Sequence, residues 1–133
     1  MMSDRTTDQP LAGCRVLVVE DQFFIAEQIV EALEDMGADV VGPAGRATEV
    51  ERLLQKTPVE GAVLDYRLDG DTTKIAERLV NDGALVLFLS GSDRPTELPS
   101  CLLAVPWIDK GVPLAKLKQI MQVVFGNTNL SSG

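Results

Sequence analysis

Five short apolar runs recur along the chain, and stretches of helical period separate them. Val16-Leu17-Val18-Val19 is continuous and rich in β-branched side chains, as expected of a strand at 15–19 buried on both faces. From Gln22 the period changes. Ile25, Ile29, Leu33 and Met36 recur at helical spacing, Asp21 stands where it can cap the start, and Gly37 where a C-terminal cap belongs. A second strand at Asp39-Val40-Val41 is broken by Gly42-Pro43, and Val50, Leu53 and Leu54 predict a helix over 46–56 that Pro58 stops. The third strand is expected at 60–65 and its helix at 73–81, with Ile75, Leu79 and Val80 inward. The fourth strand is expected at 85–89. Residues 91–100 hold too much Gly, Pro and Ser for a long helix. A fifth strand follows at 104–108. The last helix, over 113–125, carries Leu114, Leu117, Ile120, Met121 and Val124 on one side, starts at Pro113 and stops at Gly126.

Strands alternating with helices imply a parallel sheet covered on both faces. The expected fold is therefore α/β, a (βα)5 three-layer sandwich with a short or disordered fourth helix; the flavodoxin-like strand order 2-1-3-4-5 is the one that sets the polar residues ending strands one and three beside one another, and it is adopted as a placement. One domain over 13–126 is expected, flanked by flexible tails at 1–12 and 127–133. At 133 residues the chain buries roughly two-thirds of the surface that its unfolded form exposes.

Composition narrows the function. A hydrophobic content of 45% and a mean hydropathy of +0.10 exclude a disordered chain. No apolar run approaches the ~20 residues of a membrane-spanning helix, and Met1 to Pro10 lack the apolar centre of a signal peptide, so a cytoplasmic location is expected. Twelve Lys and Arg stand against 20 Asp and Glu, for a net charge of −8, and there is no cationic run to neutralise phosphates, so neither direct nucleic-acid binding nor membrane association is expected. Cys14 and Cys101 form no CxxC pair and the chain has no His, which excludes structural zinc and suits reduced thiols.

Four of the five runs end on chemistry-bearing residues: Glu20-Asp21, Asp65, Ser90 and Asp109-Lys110. In open α/β sheets ligands bind outside the carboxyl ends of the strands, so the acids Glu20, Asp21 and Asp65, the Ser90 hydroxyl and the Lys110 ammonium share one cleft. That set suits a divalent metal and phosphoryl transfer to an aspartate. Taken singly, each residue has a plainer role as a helix N-terminal acid, a turn former or a solvated lysine. Their convergence at four strand ends favours the site.

In those residues, over about 14–125, the chain resembles the receiver domain of two-component response regulators. The resemblance implies that Asp65 is the phosphoacceptor and that magnesium is held by Asp21, Asp65 and the backbone carbonyl of Arg67, with Glu20 acting through a water. Ser90 would donate to a phosphoryl oxygen, and Lys110 would bind the same group as a flexible point charge. Trp107 stands where the family commonly has a Tyr or Phe that turns inward on phosphorylation, and it reads equally as packing or as switch. Arg67-Leu68 and Gly111 depart from the family, which more often has a polar residue followed by Met-Pro after the acceptor, and Pro after the lysine. Phe88-Leu89-Ser90-Gly91 partly resembles the Phe-Ala-Thr-Gly motif of an alphaproteobacterial receiver subgroup whose fourth helix is shortened.

The function so implied is a stand-alone receiver in a two-component system or phosphorelay. It would be a phosphoprotein that takes its aspartyl phosphate from a histidine kinase or histidine phosphotransfer protein and signals through a protein contact. It would catalyse only its own modification and would not be an enzyme in the ordinary sense. The alternatives are a receiver-like docking module that works without phosphorylation, an aspartyl-phosphate phosphatase, and a flavin-binding flavodoxin-like protein. The phosphatase chemistry wants a second acid where Arg67 stands. The flavin protein wants a phosphate-cradling loop where Glu20-Asp21 would repel the ligand.

Overall fold

The computed structural model describes residues 9–66 and 72–132, with side chains as far as 126. The strands are β1 (Arg15–Val19), β2 (Asp39–Ala44), β3 (Gly61–Asp65), β4 (Leu85–Ser90) and β5 (Trp107–Asp109). They form one parallel sheet in the order β2-β1-β3-β4-β5. The helices are α1 (Phe23–Asp35), α2 (Ala47–Lys56), α3 (Thr72–Asn81) and α4 (Leu114–Ser132). Between β4 and β5 stands only a single 3-10 turn, Ser100–Leu102, in agreement with the Gly- and Pro-rich sequence there.

Alternation along the strands builds two cores, because successive side chains point to opposite faces. Val16, Val18, Val63, Leu87 and Leu89 pack with α1 and α4 residues such as Ile29, Leu33, Leu117 and Met121. Leu17, Val19, Ala62, Leu64, Val86 and Phe88 face the other way, onto Val50 of α2 and Ile75, Ala76 and Leu79 of α3. Gly61 in β3 leaves room for the fully buried Phe125, since a Cβ there would stand 2.6 Å from the phenyl ring.

Several sequence boundaries move. β2 continues through Gly42-Pro43, where the ladder to β1 shifts register between Leu17 and Val19. Gly42 takes φ 100°, and a side chain would meet the Val18 carbonyl at 2.8 Å, so only glycine carries the strand through that irregularity. β5 begins at Trp107 instead of 104, because the Val105 amide closes the turn onto Leu102 and Pro106 has no amide to give. α4 runs past Gly126 to Ser132; a glycine inside a helix costs only about 1 kcal/mol relative to alanine and does not force a stop. Leu11, expected in the tail, is fully buried, and its N–H donates to the Met36 carbonyl at the end of α1.

Candidate functional site

Sheet register decides which strand ends meet. Val19 is level with Leu64, Asp65 with Leu89, and Ser90 with Asp109, so the chemistry-bearing residues converge on the carboxyl edge. Glu20, Asp65 and Lys110 continue the alternation of Val18, Val63 and Ile108 toward the α1/α4 side, whereas Ser90 continues that of Phe88 toward the other. The expected residues therefore separate into two groups.

The first group is ionic. Lys110 Nζ stands 3.0 Å from Asp65 Oδ2 and 3.0 Å from Glu20 Oε1, and donates a hydrogen bond to Glu20 Oε2 at 3.2 Å. Glu20 and Asp65 are buried, and the lysine side chain is mostly so. Glu20 Oε1 lies close to the ammonium but lacks an aligned hydrogen bond. Burial pushes the Glu20 carboxyl above its ordinary range, against the Gln22 N–H and Lys110 hydrogen bonds that favour its charge. Desolvation pulls the Lys110 ammonium down, but hydrogen bonds and attraction to Glu20 and Asp65 outweigh it and hold the value above normal.

Asp21 is exposed and does not cap α1. The first amide, Gln22 N–H, donates instead to Glu20 Oε2 at 2.9 Å, which fixes Glu20 inward. Glu20, Asp21 and Asp65 each offer a carboxylate oxygen, and these atoms lie within 4.8 Å of one another. Carboxylate oxygens are the donors that a hard divalent cation such as magnesium takes, so the chemistry of the three acids suits such an ion. The expected backbone ligand at Arg67 lies outside the described residues.

The second group lies beside the first. Ser90 is fully buried, and its hydroxyl donates to the Ser92 carbonyl and accepts the Ser92 N–H, both at 3.1 Å. Trp107 Nε1 donates to the same carbonyl at 3.3 Å. The indole also packs on Tyr66, with ring centroids 4.8 Å apart, and on Phe88 at 5.2 Å. Tyr66 directly follows Asp65 and meets Phe88 edge to face. Sequence reasoning missed Tyr66 and Ser92; the signal for Tyr66 was an aromatic ring next to the candidate acceptor.

No family model matches the chain, and no curated protein does. Solved structures do. The receiver domain of a modulated diguanylate cyclase from Desulfovibrio desulfuricans G20 superimposes with a TM-score of 0.70 at 25% identity, over 89% of this chain and 98% of that one. The receiver domain of the response regulator NarL from Mycobacterium tuberculosis gives 0.69 at 24%, over 83% and 94%. The response regulator PhyR from Brucella abortus gives 0.74 at 22%, with 98% of this chain spanning 54% of that one. The chain has the response regulator receiver fold. An acidic cluster lies at the carboxyl edge of its sheet.

Proposed function

We propose that this receiver module accepts a phosphoryl group on Asp65 from a histidine kinase or histidine phosphotransfer protein and signals through protein contacts or a phosphorelay. The observation that carries the reading is the Lys110 ammonium, 3.0 Å from Asp65 Oδ2 at the edge where Glu20 and Asp21 complete an acid cluster. An Asp65 oxygen attacks phosphorus, a new O–P bond forms, and the P–N bond of the donor phosphohistidine breaks with its electron pair leaving on the imidazole. Lys110 neutralises phosphoryl charge, and its hold on Asp65 orients the carboxylate. Ser90 leaves the Ser92 carbonyl and donates to a phosphoryl oxygen.

Asp21 and Asp65 would hold magnesium directly, with Glu20 acting through a water and Arg67 contributing its carbonyl. Bound there, the ion neutralises charge on the phosphoryl oxygens. The module turns over no external substrate in this reading. The reading places its work in the cytoplasm, where such kinases present their phosphohistidine; no described helix is long and apolar enough to cross a membrane. The lone 3-10 turn between β4 and β5, with Phe88-Leu89-Ser90-Gly91, supports a place in the alphaproteobacterial Phe-Ala-Thr-Gly subgroup.

Incubation with phosphorylated kinase or acetyl phosphate and magnesium tests the assignment. Label that is acid-labile and released by hydroxylamine, as an acyl phosphate is, should enter the wild type and be absent from Asp65→Asn, which keeps the shape and loses the nucleophile. Label retained in that variant would move the acceptor elsewhere.

A further inference from the structure

Lys110 is the last residue tied to β4, through its N–H to the Ser90 carbonyl at 2.9 Å, and the chain turns directly after it. The next residue is Gly111, the residue type with the most backbone freedom. Left unrestrained, that turn would let the Lys110 backbone wander, and a four-carbon side chain passes such movement on to its charged end. Asp109 restrains it. Its Oδ1 accepts the Gly111 N–H at 2.6 Å, and its carbonyl accepts the Val112 N–H at 3.1 Å. An Asp bonded to the backbone two residues on is a standard way to set a turn. The fit is close, since a Cβ on residue 111 would stand 3.2 Å from the same oxygen. Where receivers often have proline, whose ring stiffens the chain but whose nitrogen carries no hydrogen, this chain pairs glycine with an acid that needs the N–H.

We propose that Asp109 is a positioning residue for Lys110: through the Gly111 N–H it closes the turn that aims the ammonium at Asp65. Asp109 is itself exposed and stands apart from the cluster of Glu20, Asp21 and Asp65. Only the kinetic arm of the test rests on the reading of Asp65 as acceptor.

The full chain, Asp109→Ala and Asp109→Asn are compared, with urea melts to verify that each is folded. In the first arm, limited acetylation by a small active ester is mapped by mass spectrometry, and Lys110 is scored against the other lysines of the same sample. Asp109→Ala should raise Lys110 reactivity several-fold, whereas Asp109→Asn, which keeps the acceptor oxygen, should match the wild type. In the second arm, phosphorylation by acetyl phosphate with magnesium should slow several-fold in Asp109→Ala and be restored in Asp109→Asn. If the alanine variant leaves Lys110 as protected as in the wild type, the proposal fails. It fails equally if alanine and asparagine act alike, because charge and not the hydrogen bond would then be at work. If even the wild type takes no phosphate while alanine still frees Lys110, the acceptor reading falls and the positioning role stands.

Discussion

The Ser90 hydroxyl and the Trp107 indole donate to one and the same acceptor, the carbonyl of Ser92, at 3.1 and 3.3 Å. A hydroxyl drawn away toward a phosphoryl group on Asp65 leaves the indole as the remaining side-chain donor of that pair. Trp107 also touches Tyr66, the residue after Asp65, so two routes from the acceptor reach one ring. Trp107 is the single tryptophan, and its emission reports on both.

Magnesium with beryllofluoride, which mimics the aspartyl phosphate, should therefore change Trp107 emission in the wild type. The change should shrink in Ser90→Ala and vanish in Asp65→Asn. Constant wild-type emission, with binding verified by calorimetry, would reduce Trp107 to a packing residue.

Magnesium alone should raise stability, because it binds the folded cluster and relieves repulsion among Glu20, Asp21 and Asp65. At saturating metal the gain is about 1–3 kcal/mol, read as a rise in the thermal midpoint. Asp21→Asn should cut this gain and, because it removes one of the three repelling charges, should leave the metal-free midpoint level with the wild type or slightly above it. A midpoint indifferent to millimolar magnesium would argue for a docking module without a metal site.

Glu20 gives a pH signature in the absence of metal. Its folded carboxyl is raised by burial, so the folded state holds a proton that the unfolded state has begun to release. The resulting stability is complete below the unfolded value, about 4.3, and is lost as pH rises through the folded one. Lys110, also raised, stays charged throughout that window. Urea melts in chelator should show the wild type losing stability relative to Glu20→Gln as pH climbs from acid toward neutral. A relative gain would mean that the Lys110 pairing outweighs burial.

Gly61→Ala tests the packing under α4. The added Cβ would stand 2.6 and 2.8 Å from two Phe125 ring atoms in a filled core, and overpacking of this kind costs about 1–3 kcal/mol. The expected result is a lower urea midpoint with phosphorylation retained at low temperature. An unchanged midpoint would place Phe125 in softer surroundings than the contacts imply.

Local pattern was enough for much of this. Continuous apolar runs and helical spacing are properties of neighbouring residues, so the alternation of elements, the five-stranded parallel sheet and the acids and lysine at the strand ends were legible along the chain. The absence of an α-helix between β4 and β5 was legible too, because Pro and Gly act on their own backbone. What needed the fold was whatever depends on register and on contacts between distant segments. Leu11 shows no periodicity in a polar context, and only the space beneath the end of α1 draws it into the core. The extension of β2 through Gly42 depends on the Val18 carbonyl, which no pattern within β2 contains. The ionic bridge from Lys110 to both Glu20 and Asp65, and the separation of Ser90 and Trp107 onto Ser92, follow from side-chain alternation combined with strand register. A sequence lists these residues at intervals of many positions; hydrogen-bonded strands about 4.8 Å apart decide which of them touch.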